Sequence, residues 1–424
     1  MSVRPLSDEL FHEANFDALP SQSSIYGVTS LCNIPHLSNK ILVALAKGRI
    51  FACEYHKPAN PNYDVLGVNR EVTFTYIPAD CHIISIDNFS CAARGLIVGV
   101  TFCKELNENF FNVYCNYGDD VPSGQEWNLD NVAQNCRSFN LTFTPYQLTH
   151  CKVLCPQGEE QTGGDTAQVR EQRTVFILLG SDRSFHVYAQ NEVEFVEEPT
   201  KKYFCELDSI TKQPIFLEMK NISDMRRLSI AGYECGSLSM FLVDSFNNSI
   251  TASWTIEHDS PIVQCQLFAN NRESSEGVEH NVVVVSAREE AMIYRNLLAS
   301  GFSNPLVLSG SSKYDCVTCC AVADVNYDGI KEVLIGTFGQ RLLAYSSQAD
   351  RQPYTQQQPM WTRNMAHPVL SIKFMDMTGD SIEDMAVISS KGVHIFQSDL
   401  VMLLKMCKSK IFHKNVDDRF DKSE

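Results

Sequence analysis

The chain has 424 residues, 44% of them hydrophobic, and a formal net charge of −16. That is enough apolar material for a core, while the acidic balance excludes nonspecific binding to nucleic acid or to an anionic membrane, which needs a basic face. Sixteen cysteines, spread singly through strand-like runs, do not form a disulfide framework.

The chain opens with MSVRPLSDELFHEANFDALP, which has acids where a signal peptide needs an apolar run. We expect residues 1–22 to be a flexible arm and the protein to be cytoplasmic. The N-x-S/T sites at Asn88, Asn140, Asn221 and Asn247 are then idle. Ser24–Leu31 (SIYGVTSL) reads as a strand that pairs with the last unit and closes a ring.

From there one pattern recurs, an apolar run, a turn and a second apolar run. It is found as ILVALAKGRIFACEY around Val43, GLIVGVTF around Val98 and TVFILLGSDRSFHVY around Ile177. It returns as RLSIAGYECGSLSMF around Ile230, NVVVVSAREEAMIY around Val284, EVLIGTFGQRLLAY around Ile335 and DMAVISSKGVHIF around Val387. Successive anchors lie about 55, 79, 53, 54, 51 and 52 residues apart. Each unit reads as a hairpin that cannot bury both faces alone, so seven at a near-constant period predict a closed repeat array. A second marker agrees: Trp254 to Pro261 and Trp361 to Pro368 have one offset and stand two periods apart. The expectation is an all-β, seven-bladed β-propeller over 23–397. The long gap places a rim insertion, about 118–172, in the third unit. Within it Gly118 to Gly124 is acidic and turn-rich, Leu129 to Cys136 is a short helix, LTFTPYQLTH is a strand and Gln157 to Gln172 is a polar loop.

The last two units carry acidic loops, DVNYDGIKE and DMTGDSIED. Asp324, Asn326, Asp328 and Glu332 supply side-chain oxygens at positions 1, 3, 5 and 9, with the Ile330 carbonyl at position 7. Asp376, Thr378, Asp380, Ile382 and Asp384 repeat the pattern. Hard oxygens at this spacing suit calcium. The competing reading is a pair of Asx-turn loops bonded to themselves. No cofactor is required on either reading. An EF-hand is excluded, because position 12 is Ile335 or Val387. Asp87 stands near the place of Asp324 in the second unit, without the other oxygens. Cys316, Cys319 and Cys320 lack the second pair a zinc site needs and read as core residues. No nucleophile elbow, phosphate-binding glycine loop or H-E-x-x-H is present, so no enzyme is expected.

Residues 398–424 form the tail. Leu400, Val401, Leu403, Leu404, Cys407 and Ile411 recur at helical spacing among Lys405, Lys408, Lys410 and Lys414. This predicts a short C-terminal helix that either packs on the propeller or docks a partner through its lysines. No run approaches the length of a transmembrane helix.

Loop plus hairpin resembles the FG-GAP repeat, the blade of integrin alpha-chain propellers. The order of the strings SSIYG, FTYIPAD, GLIVGVTF, WNLDNVAQNC, RRLSIAGYECG, IYRNLLASG and DVNYDGIKEVLIGTFGQ resembles the kaptin family. That resemblance implies a non-enzymatic scaffold in a KICSTOR-like complex. Its implied partners are a second FG-GAP propeller subunit, a large scaffold chain and the GATOR complex. The implied place is the lysosomal membrane, reached through partners, where mTOR signalling is restrained when amino acids are low. An alternative role for the family is actin-filament association in actin-rich cell projections, for which the basic tail is the contact. A third reading is a calcium-dependent enzyme or carbohydrate-binding propeller. It lacks support in export signal or side-chain constellation.

Overall fold

A computed structural model describes residues 10–34, 37–56, 66–91, 94–104, 108–116, 128–155, 172–191, 194–208, 210–271, 278–348 and 355–404. Its strands form seven antiparallel sheets of four, with one parallel strand added to the fifth. This is the strand plan of an all-β seven-bladed β-propeller, in line with the repeat count. Each of the seven anchors lies in the second strand of its sheet. All are at most 1% exposed, from Val43 to Val387. A strand covered on both faces has no polar side to show, so it reads as a continuous apolar run. That is why these strands, and not the outer ones, set the visible period.

By contact the chain divides into two compact units. One holds residues 20–267 and 285–289. It contains the first four sheets. The first comprises Ser23–Leu31, Lys40–Leu45, Ile50–His56 and Leu66–Val72. The second comprises His82–Cys91, Gly95–Cys103, Asn109–Tyr114 and Cys136–Leu141. Pro145–Leu154, Gln172–Gly180, Phe185–Gln190 and Phe195–Glu198 make the third. Pro214–Ser223, Arg226–Tyr233, Ser237–Asp244 and Ser249–Glu257 make the fourth. Between the sheets lie apolar clusters, such as Leu42, Ala52, Ile86, Val98 and Phe102 between the first two. Packing at Gly99 is close: a Cβ there would meet Leu148 Cδ2 at 2.7 Å and Phe176 at 3.0 Å, so a larger residue would have to displace them. Among the described residues, two charged pairs are buried within this core, Lys40 with Glu54 in the first sheet and Arg227 with Glu206. Glu206, on the connection from the third to the fourth sheet, takes two hydrogen bonds from Arg227 Nη2 at 2.9 and 3.1 Å and one from Ser229 Oγ at 2.8 Å. Arg227 also lies 4.8 Å over the Phe204 ring. Its charge is thereby paired and its donors engaged, which burial requires.

The other unit holds residues 1–19, 268–284 and 290–424. Its sixth sheet is Val317–Ala323, Glu332–Thr337, Arg341–Ser346 and Trp361–Asn364. The seventh sheet is Val369–Met375, Asp384–Ser389, Gly392–Ser398 and, on its outer edge, Phe11–Ala18. The fifth sheet orders Ile262–Asn271, Val278–Ser286, Met292–Tyr294 and Pro305–Leu308, then adds Thr355–Gln357 in parallel to Pro305–Leu308, and all of it but residues 262–267 and 285–286 belongs to this unit. That extra strand comes from the connection inside the sixth sheet, so the fifth sheet's outer edge is covered.

Two expectations are corrected. The strand that completes the last sheet is Phe11–Ala18, paired from Phe11↔Ser398 to Ala18↔Gly392, and not Ser24–Leu31, which opens the first sheet. Within the expected arm, residues 1–22, Phe11–Ala18 is therefore a strand, and residues 1–9 lie outside the described residues. Its sequence, FHEANFDA, is half polar and mostly exposed, because an outer strand is held by backbone bonds and needs few buried side chains. The second correction concerns the stretch 118–172. Its described part, 128–155, supplies a one-turn helix at Leu129–Val132, the last strand of the second sheet and the first strand of the third. The remaining length lies outside the described residues. Residues 400–404 are helical, with Leu403 buried and Leu400, Val401 and Leu404 exposed.

Candidate functional site

The two acidic loops connect the first and second strands of the sixth and seventh sheets. In each, the apolar residue at position 2 anchors the loop: Val325 is 3% exposed and Met377 4%. Positions 4 and 6 take left-handed backbone in both. Tyr327 (φ 55°) and Gly329 (φ 84°) do so in one loop, Gly379 (φ 72°) and Ser381 (φ 69°) in the other. The glycine has changed places, so each loop holds one residue with a side chain where glycine is favoured.

The carboxylates face inward onto the loop's own backbone. Asp324 accepts from the amides of Asp328 at 2.9 Å and Gly329 at 2.7 Å, and Asp328 accepts from Ile330 at 2.8 Å. Asp376 accepts from Asp380 at 3.1 Å and Ser381 at 2.8 Å, and Asp380 accepts from Ile382 at 2.9 Å. At position 9, Glu332 takes the Val325 amide and the Asn326 side-chain amide, each at 3.0 Å. Asp384 takes the Met377 amide at 3.0 Å. Burial, opposed in part by that bond and by a hydrogen bond from the Gln397 side chain, pushes the Asp384 carboxyl up to about 6, with the charges of Asp380 and Asp376 adding to the rise.

A cation would draw on these same oxygens. Asn326 Oδ1 and Thr378 Oγ1, both buried, have no partner and are the atoms such an ion would satisfy. The carboxylates, however, are engaged by backbone amides, and among the described residues no group of three or more His, Cys, Asp or Glu side chains is arranged to hold a metal. As folded, these residues make hydrogen-bonded turns.

Tyr327 was not singled out by the sequence. Its hydroxyl accepts from the Glu383 amide at 3.0 Å, so the sixth-sheet loop braces the seventh. A large aromatic at a position that favours glycine is the signal that marks it. Cys319 and Cys320 lie in Val317–Ala323 and are buried, and burial pushes the Cys319 thiol up to about 12, which suits a core residue and opposes thiolate ligation. Lys405, Lys408, Lys410 and Lys414 lie outside the described residues. Among the described residues no helix is long and apolar enough to cross a membrane.

Comparison with known proteins extends this picture. A family model described as KICSTOR complex protein kaptin matches residues 11–408. The mouse KICSTOR complex protein kaptin is 34% identical over 416 residues, covering 95% of this chain and 91% of that protein. Among solved structures, BBS1N in complex with ARL6DN, soaked with mercury, superposes with a TM-score of 0.54 at 10% identity, covering 92% of this chain and 98% of that one. The lead-soaked crystal of the same complex gives 0.54 at 11% identity and the same coverage. At such identities these structures speak for the fold alone.

Proposed function

Because the chain belongs to the KICSTOR complex protein kaptin family, we propose that it is a non-enzymatic scaffold subunit of a KICSTOR-like complex. In this reading it helps recruit the GATOR complex to lysosomes and restrains mTOR signalling when amino acids are low. The observation that carries the proposal is the family match across nearly the whole chain, inside and outside the repeats. The architecture suits the role, since a propeller offers loops at both ends of its strands and exposed outer edges for partners. The acidic loops support a structural rather than a chemical use, because their carboxylates are spent on backbone amides.

The test is affinity purification of the tagged full chain from its own cells, followed by mass spectrometry after a moderate-salt wash. A stoichiometric second FG-GAP propeller and a very large scaffold chain are expected. Recovery of the chain alone, or with actin filaments alone, would overturn the proposal.

A further inference from the structure

Within the unit of residues 20–267 and 285–289, the first strands of the first four sheets end around a cavity of about 500 Å³. Ser30, Asn88, His150, Lys152, Lys220 and Asn221 give it its polar lining. The walls are tied together. Asn88 Nδ2 donates to Thr29 Oγ1 at 2.6 Å and to the Ser30 carbonyl at 3.1 Å, joining the first two sheets. Asn221 Nδ2 donates to the Lys152 carbonyl at 2.9 Å, joining the third and fourth.

The charges are less evenly matched. His150 Nδ1 lies 2.7 Å from Asp87 Oδ2, and its ring packs 5.5 Å from Phe89. Burial pushes the imidazole down, but the charge and hydrogen bond of Asp87 outweigh it and hold the group above its ordinary value. In the protonated ring, with Nδ1–H given to Asp87, Nε2–H is left as a donor. Lys152 is exposed and Lys220 half-buried, and neither forms a salt bridge with a described residue. In a chain with 51 acids against 35 bases, two lysines at one cavity without carboxylate partners stand out. Asp87 and Glu218 are the acids that act on His150, and Lys152 the base.

We infer that this cavity binds a small ligand bearing phosphate-class oxyanions, held by Lys152, Lys220 and the His150 ring. Ammonium groups suit phosphate as point charges, and the volume falls in the range of small-molecule sites. The polar lining disfavours an apolar ligand. A smaller cavity of about 270 Å³ shares Lys152 and Asn221 and continues to Ser223 and Asp224, leaving room for the rest of the molecule.

The test is isothermal titration of pyrophosphate into the full chain, with chloride matched for ionic strength. Saturable one-site binding with a Kd below about 1 mM is expected for the natural sequence and for Lys47→Gln, an exposed control. Lys152→Gln and Lys220→Gln should each weaken it about tenfold, and His150→Gln severalfold. Circular dichroism confirms that each variant is folded, and either lysine variant suffices if the other does not fold. Absence of saturable heat, or equal binding by both lysine variants, overturns the inference. So does a hexaglutamate peptide that binds with the same lysine dependence where pyrophosphate does not. None of these outcomes depends on assembly into a KICSTOR-like complex.

Discussion

The loops of the sixth and seventh sheets start from one pattern and solve the same problem with different success. In the sixth, Asn326 donates to Glu332, so the buried carboxylate has two donors. In the seventh, Thr378 stands where Asn326 does, its hydroxyl without a partner, the side chain at position 9 is shorter by a methylene, and the second hydrogen bond to it comes from the Gln397 side chain. Asp384 is 4% exposed and resists ionisation. A buried acid is only as stable as the donors that reach it, and the two loops find theirs in different places, the sixth at its own position 3 and the seventh at Gln397 in the third strand of its sheet.

The sharpest break of this comparison is deletion of each position-9 acid. Glu332→Ala should cost about 2–4 kcal/mol, because it strands two buried donors, while Asp384→Ala should cost about 1 kcal/mol or less. Denaturant midpoints at pH 7 check this, and equal losses would sink the comparison.

The pH dependence follows in size. The Asp384 carboxyl titrates near 6 when folded and near its ordinary 3.8 when unfolded, so the folded state binds the proton more tightly. Its ionised form costs stability above about pH 6, and the cost disappears as pH falls through 6 towards 4. Asp384→Asn should remove this component. The stability difference between variant and natural protein should grow by on the order of 1–2 kcal/mol from pH 4 to pH 7. A constant difference would show that Asp384 does not titrate in that window.

Backbone effects are smaller. Ser381→Gly should stabilise the seventh loop, and Gly329→Ala destabilise the sixth, each by about 1 kcal/mol, since both positions are left-handed. Nothing lies within 4 Å of a Cβ built on Gly329, so its loss would be conformational and not steric. The smallest expected effect is that of calcium. Exchange of millimolar calcium for chelator should leave Tm unchanged. A rise of several degrees that Asp324→Asn or Asp376→Asn removes would show that the oxygens leave their amides for a cation.

The acidic loops were legible because alternate oxygens followed by an apolar run is a local pattern. Their donors were not: that Asn326 reaches Glu332 and Tyr327 reaches the Glu383 amide depends on how the chain turns. The Trp254 and Trp361 markers were sound for a related reason. Each lies in the outermost of the four antiparallel strands of its sheet, seven residues before the proline that precedes the next first strand. The cavity residues Lys152 and Lys220 carried no signal, being single lysines in strands 68 residues apart.

By itself the sequence determined the number of sheets and the identity of their second strands, because burial on both faces excludes polar residues and leaves a run that recurs. Tertiary structure alone decided that Phe11–Ala18 completes the seventh sheet and Thr355–Gln357 extends the fifth. Outer strands are chosen by backbone hydrogen bonds, which every residue but proline can make, and so they leave little trace in side-chain pattern.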